Sequence, residues 1–276
     1  MSEGDTLARI AAVVSETLVG PVVVAARGRA GGAALHRVVG QQVVEVSARG
    51  KHLLITFGGG LTLHTHLGMH GSWHTYRAGE RWRRAAARAV AVVEVPSSVC
   101  VCFDAPTIEL VETRALAIHP RLSRLGPDLL AREPDIDGAL ARLRHARLAA
   151  VPIGAALVDQ RAVAGLGNVY RSELCFLERI DPATPVVDVG DDTLRRLLHR
   201  GASLLAVNAR GGRRVTTAPG VAGPTYAYGR TGRPCRRCST PIRSRVSGDP
   251  PRREYWCPTC QPSVRRTSEA SQSGVA

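Results

Sequence analysis

The chain begins with apolar residues at helical spacing. They recur three and four positions apart and therefore share one face of a helix that extends to about residue 18. These positions are Leu7, Ile10, Ala11, Val14 and Leu18. Asp5 or Thr6 is expected to cap the start of this helix, because short polar side chains satisfy the free backbone N–H groups there.

Short runs rich in β-branched residues follow the helix. They are separated by turn signals such as Gly58-Gly59-Gly60 and Pro96, and they predict strands over 22–26, 42–46, 52–57, 61–66, 90–95 and 99–103. Strands this short and closely spaced favour antiparallel pairing in two packed layers. Residues 1–125 are therefore predicted to form a two-layer β-sandwich with flanking helices.

The pattern turns helical from residue 126 onward. Apolar spacing predicts helices near 136–143 and over 153–163, 168–177 and 191–207, the last with Asp191 as its cap. Gly165 and Gly167 lie between two of these helices, where they permit tight turns and close approach of another backbone. We assign 126–224 to a helical domain that ends in a Gly-, Arg- and Pro-rich loop at 209–224, and 263–276 to a disordered tail.

The charge of the chain is strongly positive and concentrated near the C-terminus. The 276 residues carry a formal net charge of +14, and 13 Arg against three acidic residues in 201–276 supply +10 of it. This balance favours an anionic partner, nucleic acid before a membrane surface. No apolar run approaches the roughly 20 residues of a membrane span, and the start lacks the pattern of a secretory signal. We therefore expect a soluble, cytoplasmic protein.

Four of the seven cysteines form two CxxC pairs, and we assign residues 225–262 around them to a zinc ribbon. Eighteen residues separate the pair Cys235 and Cys238 from the pair Cys257 and Cys260. This spacing can present four thiolates to one tetrahedral Zn²⁺. Incidental pairs or a redox site are the weaker alternatives. The other three cysteines, in apolar surroundings, are expected to be buried. Arginines on this ribbon can bind phosphate, although most are expected to be ordinary surface charges.

Two further residue patterns are ambiguous by themselves. The 37 basic residues include a single lysine, Lys51, which is either a chance survivor or does what a guanidinium cannot, such as titrating or acting as a compact point charge. The histidines at 64, 66, 70 and 74 suggest a second metal site. We interpret them as hydrogen-bonded structural groups, because no acidic or Cys ligand accompanies them in the sequence.

The N-terminus offers a candidate nucleophile and a candidate acid. Ser2 is small, so Met1 is expected to be removed, and the exposed α-amine has a reference pKa of about 7.7–8.0. Such an amine is a competent Schiff-base nucleophile, with Glu3 beside it as general acid and base. The alternative for Glu3 is a charge that only complements the helix dipole.

Six segments after the N-terminus complete a recognisable series. They are RGKHLL (49–54), HLGMHGS (66–72), LGPDLL (125–130), LVDQ (157–160), AGLGNVY (164–170) and YWCPTCQ (255–261). With the N-terminus, the series spans residues 2 to about 261 and resembles the formamidopyrimidine-DNA glycosylase and endonuclease VIII family of base-excision repair enzymes. The resemblance implies an α+β multidomain fold, namely a sandwich, a helix-two-turns-helix domain and a zinc ribbon. It also implies a monomer that binds damaged double-stranded DNA and one structural Zn²⁺.

The resemblance assigns roles to five residues. It implies that Glu3 is the catalytic acid and base and that Lys51, in a β-hairpin, contacts phosphate near the lesion. Met69 is implied as the wedge that fills the space of the everted base. Asn168 and Arg252 are implied as phosphate contacts, one in a turn and one at the tip of the ribbon. Flipping a base costs a few kcal/mol, which a wedge and phosphate contacts offset.

The sequence departs from the family pattern at its nucleophile. The family uses an N-terminal proline, whereas this chain has Ser2. Whether the chain cleaves the strand after base removal is therefore an open question, and the alternative is a protein that binds lesions without catalysis. The Arg and Phe of the formamidopyrimidine branch also have no match in 104–108, and the loop at 209–224 is short. These features resemble the endonuclease VIII branch, whose substrates are mostly oxidised pyrimidines. A third hypothesis, zinc-ribbon DNA binding in transcription, leaves Glu3, Lys51 and Met69 without a role.

Overall fold

The structure is a computed structural model that describes residues 2–29, 32–248 and 251–263. The expected tail at 263–276 lies outside the described residues except for its first residue. Helix α1 spans Gly4–Leu18. It packs along a four-stranded sheet that begins with the strand Val43–Arg49. Glu3, with extended backbone, is its N-cap, and its side chain makes no capping hydrogen bond to α1. The predicted cap at Asp5 or Thr6 is therefore wrong, because both residues already lie inside the helix.

Two antiparallel sheets form the N-terminal sandwich. The first has the order β2 (Val43–Arg49), β3 (His52–Phe57), β4 (Leu61–His66) and β8 (Thr107–Glu112). The second has the order β1 (Ala25–Gly28), β6 (Ala89–Val95), β7 (Ser98–Phe103) and β5 (Ser72–Arg77). Apolar side chains of both sheets and of α1 form one core, which includes Leu7, Leu53, Ile55, Leu63 and Val93. The predicted two-layer sandwich is confirmed.

Four of the six predicted strands match closely, and two strands were missed. The strand predicted over 22–26 begins at Ala25 instead, and that over 42–46 continues to Arg49. Neither β5 nor β8 was predicted. Both are edge strands and only partly buried, so polar residues interrupt the apolar runs by which central strands are found.

The helical region contains α2 (Ile136–Leu143), α3 (Ile153–Ala156), α4 (Asn168–Leu177) and α5 (Asp191–Ala209). The helix predicted over 153–163 is wrong beyond Ala156, because the backbone turns there and the carbonyl of Asp159 accepts the N–H groups of Ala162 and Val163. Gly190, not Asp191, is the N-cap of α5, and Asp191 instead pairs with Arg144. The loop predicted over 209–224 begins one residue later, because α5 includes Ala209, and residues 210–224 form no helix or strand.

The C-terminal segment is a two-stranded ribbon of β9 (Arg243–Ser247) and β10 (Arg252–Trp256). It docks on α4 through a small core around Phe176, Tyr226 and Ile242. The side chain of Gln261 joins the two regions by accepting the N–H of Cys257 at 2.8 Å and donating to the carbonyl of Ile180 at 2.8 Å. Across the described ranges, no helix has the length and apolar character to cross a membrane.

Candidate functional site

The carboxylate of Glu3 lies at the N-terminus of α4, far away in sequence. Its Oε1 accepts the backbone N–H of Val169 at 2.9 Å, and its Oε2 accepts that of Tyr170 at 3.4 Å. Glu3 is fully buried. A helix N-terminus supplies free N–H groups and positive potential, so this position holds a carboxylate in a fixed orientation.

The glycines of the segment 164–168 make this approach possible. Gly165 has φ +95°, and its carbonyl accepts the N–H of Gly4 at 2.9 Å. At Gly167, an added Cβ would lie 2.6 Å from both Cγ and Oε1 of Glu3. The predicted close approach of another backbone is thus the approach of the N-terminus itself.

Lys51 lies with Gly50 in the two-residue turn between β2 and β3. Gly50 occupies this turn at φ +59°, and its N–H donates to Oδ2 of Asp128 at 2.6 Å. Burial lowers the pKa of Lys51 to about 8, opposed by the charge of Glu3 and assisted by Arg252 and other arginines. With its pKa at about 8, Lys51 titrates well below the usual range of a lysine, whereas an arginine at this position would stay charged.

Sequence reasoning missed a second ionic group at the start of α1. Asp5 is buried and accepts from both Nε and Nη2 of Arg214, at 2.8 and 2.5 Å, and also pairs with Arg9. The guanidinium of Arg214 lies 5.3 Å from the ring centroid of Tyr170. Arg214 therefore ties the loop after α5 to the surroundings of Glu3. No sequence signal pairs residues so far apart.

Asn168 and Arg252 lie where α4 meets the ribbon. The amide of Asn168 donates to the carbonyl of Arg253 at 2.9 Å and accepts from Nε of Arg171 at 2.7 Å. Arg171 is itself buried and also reaches the carbonyl of Arg252 at 3.4 Å. Asn168 thus fixes the ribbon strand against the start of α4. The side chain of Arg252 is near enough to Lys51 to lower its pKa.

Met69 is exposed in the turn between β4 and β5. Its exposed fraction is 62%, which excludes the alternative that it fills the core. The turn is held by the N–H of Gly71, which donates to the carbonyl of Leu67 at 2.8 Å, and by Gly68 at φ +57°. An exposed, flexible apolar side chain on a fixed turn is suited to insertion into another molecule.

The four ribbon cysteines converge. Their sulfurs all lie within 4.8 Å of one another, and the Cys238–Cys257 and Cys235–Cys260 distances are 3.4 and 3.9 Å. A tetrahedral ion with Zn–S bonds of 2.3 Å separates its sulfurs by about 3.8 Å. Hydrogen bonds with Thr240 lower the pKa of Cys238 to about 6, which favours the thiolate. The cluster fits a closed structural metal site.

Glu173 is a further buried acid that the sequence did not single out. Its carboxylate accepts the N–H groups of Tyr226, Ala227 and Tyr228 at 2.7–2.8 Å and is also bonded by the hydroxyl of Thr216. One carboxylate therefore shapes both the segment that leads into the ribbon and the end of the loop at 210–224.

Comparison with known proteins places this arrangement in a family. Family models of the formamidopyrimidine-DNA glycosylase N-terminal domain and H2TH domain match residues 1–117 and 125–218. A probable endonuclease 8 2 of Streptomyces coelicolor is 40% identical over 266 residues, covering 95% of this chain and 94% of that protein. The DNA-(apurinic or apyrimidinic site) lyase Nei2 of Mycolicibacterium smegmatis is 36% identical, covering 95% and 99%.

Solved structures agree on the fold. Lactococcus lactis Fpg in complex with an abasic site containing DNA superposes with a TM-score of 0.79 at 21% identity, covering 95% of this chain and 100% of that one. The same bacterium's Fpg in complex with N7-benzyl-Fapy-dG DNA gives 0.80 at 22%. Since the models cover most of the chain and the relatives align over nearly all of it, the chain belongs to the formamidopyrimidine-DNA glycosylase and endonuclease VIII family of base-excision repair enzymes.

Proposed function

We propose that this protein is a DNA glycosylase that removes oxidised or otherwise damaged bases, pyrimidines above all, and cleaves abasic sites through a Schiff base on the amine of Ser2. The observation that carries the proposal is the Glu3 carboxylate, buried and held by two backbone N–H groups beside the partly buried Ser2. The names of the relatives, endonuclease 8 and abasic-site lyase, support both activities.

The chemistry assigns one task to each residue. The unprotonated amine of mature Ser2 attacks the sugar C1′, and the bond from C1′ to the base breaks as the base takes up a proton. Loss of the amine proton and opening of the sugar ring then give the imine. Glu3 exchanges the protons with the sugar, since its fixed carboxylate is the acid adjacent to the amine in sequence.

The surrounding residues hold the DNA in a flipped state. Lys51, Asn168 and Arg252 contact phosphates, and Met69 enters the space left by the base. The electrostatic coupling of Lys51 to both Glu3 and Arg252 supports one continuous site across the domains. The proposed preference for pyrimidines rests on 104–108, which lacks the Arg and Phe of the formamidopyrimidine branch, and on the short loop at 209–224. Asp104 in the first of these segments instead binds Arg84 and Arg88.

We propose that the ribbon cysteines hold one Zn²⁺, which supplies folding energy to a segment with a core of few residues. Cys235, Cys238, Cys257 and Cys260 would be its four ligands. Metal analysis of protein purified without chelator is expected to give one zinc per chain. A value well below one would contradict the assignment.

The second candidate is a protein that binds abasic or distorted DNA without turnover. Ser2 favours it, since a primary amine replaces the secondary amine of the family proline. Single-turnover assays on oxidised-pyrimidine and abasic duplexes separate the two. Glu3→Gln is expected to lower base release by at least about 100-fold, whereas the exposed Glu16→Gln on the same helix is expected to leave it unchanged. Tight binding without release by the unaltered protein would favour the silent binder.

A further inference from the structure

Four histidines and one glutamate form a connected cluster on the first sheet. Nδ1 of His64 lies 3.0 Å from Oε2 of Glu109, and Nε2 of His119 lies 2.9 Å from the same oxygen. Nε2 of His64 is 2.8 Å from Nδ1 of His52, whose ring also contacts that of His66. Of the histidines at 64, 66, 70 and 74, His64 therefore does have an acidic neighbour, and the premise that no acidic ligand accompanies this set is wrong for His64.

The topology explains why the sequence concealed the cluster. His64 on β4 and Glu109 on β8 are direct cross-strand partners, so their side chains share one face of the sheet. His119 directly follows the 3₁₀ turn Thr113–Ile118, which continues from β8. Glu109 lies on a strand that was not predicted, and so its pairing with His64 was not foreseen.

Three atoms of this cluster are close enough together to be ligands of one metal ion. Nδ1 of His64, Oε2 of Glu109 and Nε2 of His119 all lie within 4.8 Å of one another. Two imidazoles and one carboxylate are a donor set that Zn²⁺ uses when its fourth position is left to water. Ligands at 2.0–2.2 Å in a tetrahedron stand about 3.4 Å apart, so the two short distances need to open by only a few tenths of an ångström.

The cluster is open to solvent on one side, and a further histidine lies beside the three ligand atoms. The side chain of Glu109 is 38% exposed and that of His119 10%, whereas His64 is fully enclosed, so an ion can enter from the Glu109 side. A metal-bound imidazole donates its other N–H to a neighbour, and Nδ1 of His52 lies in the position to accept it from His64.

Each imidazole can remain neutral when a metal binds. The proton of His64 moves from Nδ1 to Nε2, and that of His52 moves from Nδ1 to Nε2, so that Nδ1 of His52 can accept from His64. The proton of His119 moves to Nδ1, which gives up two long contacts of 3.4 Å with the N–H groups of Arg121 and Leu122. That loss is small because hydrogen bonds of this length are weak.

We propose that His64, Glu109 and His119 bind a divalent transition-metal ion of the zinc class at a site separate from the ribbon cysteines. His119 stands at the start of the connector to the helical domain, so the ion would join this connector to β4 and β8. The site would thereby stabilise the junction between the sandwich and the rest of the protein.

The test uses the full chain with one zinc already bound at the cysteines, titrated with Co²⁺ as probe. The unaltered protein is expected to bind one more equivalent with d–d absorption bands that lack the intense sulfur charge-transfer band, and its Tm is expected to rise with Co²⁺. His119→Ala and Glu109→Gln are each expected to weaken this binding by at least about 100-fold, and His52→Ala by about 10- to 100-fold.

His36→Ala is the matched control, because His36 is exposed and lies on a different 3₁₀ turn. It is expected to bind the second equivalent like the unaltered protein. Circular dichroism and retained ribbon zinc verify the fold of each variant, and Glu109→Gln preserves the shape of the side chain. The proposal is overturned if the unaltered protein binds no second equivalent of Co²⁺. It is also overturned if His119→Ala and Glu109→Gln both still bind that equivalent.

Discussion

Replacing Gly167 by alanine tests whether the placement of Glu3 is what the site requires. The added Cβ would lie 2.6 Å from two atoms of the Glu3 side chain, a distance that real Cβ contacts do not show. Because Glu3 is buried and begins α1, we expect the carboxylate to be displaced and to lose the N–H groups of Val169 and Tyr170. A displacement of about 1 Å can cost 100-fold in rate.

The expected result is a loss of about 100-fold or more in single-turnover cleavage of an abasic duplex. Overpacking of a buried site costs typically 1–3 kcal/mol, so the free energy of unfolding should fall by about that amount. DNA affinity should change by no more than about threefold, since Lys51, Asn168 and Arg252 stay in place.

Gly58→Ala is the control for this substitution. Gly58 lies in an exposed turn, its φ is not in the left-handed region, and the nearest atoms to an added Cβ are 3.8 Å away. This variant should keep both activity and stability. If Gly167→Ala also cleaves at more than a third of the unaltered rate, the position of the Glu3 carboxylate is not the requirement that we infer.

Three further predictions concern the DNA-binding residues. The pKa of Lys51 is lowered to about 8, and a bound phosphate would raise it, so the Kd for DNA should rise as pH increases above 8. Lys51→Arg should flatten this pH dependence, as measured by fluorescence anisotropy, and should still impair turnover. Arg252→Ala and Asn168→Ala should weaken binding to all duplexes alike. For Arg252→Ala, the slope of log binding constant against log salt concentration should also become shallower by about one unit. A loss of binding confined to one lesion would contradict this. Asp128→Asn should lower cleavage by less than Lys51→Ala does, because Asp128 acts through the backbone N–H groups of Gly50 and Leu130 and not on the DNA itself. An effect as large as that of Lys51→Ala would show another role for Asp128.

The sequence predicts the elements whose apolar pattern is uninterrupted. The helix at 168–177 and the strands at 52–57 and 61–66 are correct to the residue, because each is buried along its length and flanked by turn residues. The two missed edge strands and the overlong helix at 153–163 show the limit of the same signal. Edge strands mix polar residues into the pattern. The turn at 158–161 lies between two buried apolar stretches, whose residues together give the pattern of one longer helix.

The sequence predicts a part of the candidate site only where the residues that form that part lie in one short segment. The cysteine spacing and the glycines at 165 and 167 are local features, and the structure shows sulfurs in contact and a backbone that admits Glu3. The pairs Asp5–Arg214 and His64–Glu109 join distant segments. No local pattern encodes them, because they depend on how the sheets and loops pack.

Trapping with borohydride tests the central claim most directly. The full chain is incubated with an abasic duplex and borohydride, which reduces an imine to a stable amine. The account predicts a covalent adduct that maps to a peptide beginning at Ser2, and more strand cleavage by Ser2→Pro than by the unaltered protein. If no adduct forms on any damaged or abasic duplex, Ser2→Pro changes nothing and binding stays tight, the protein binds lesions without catalysis and the account is contradicted.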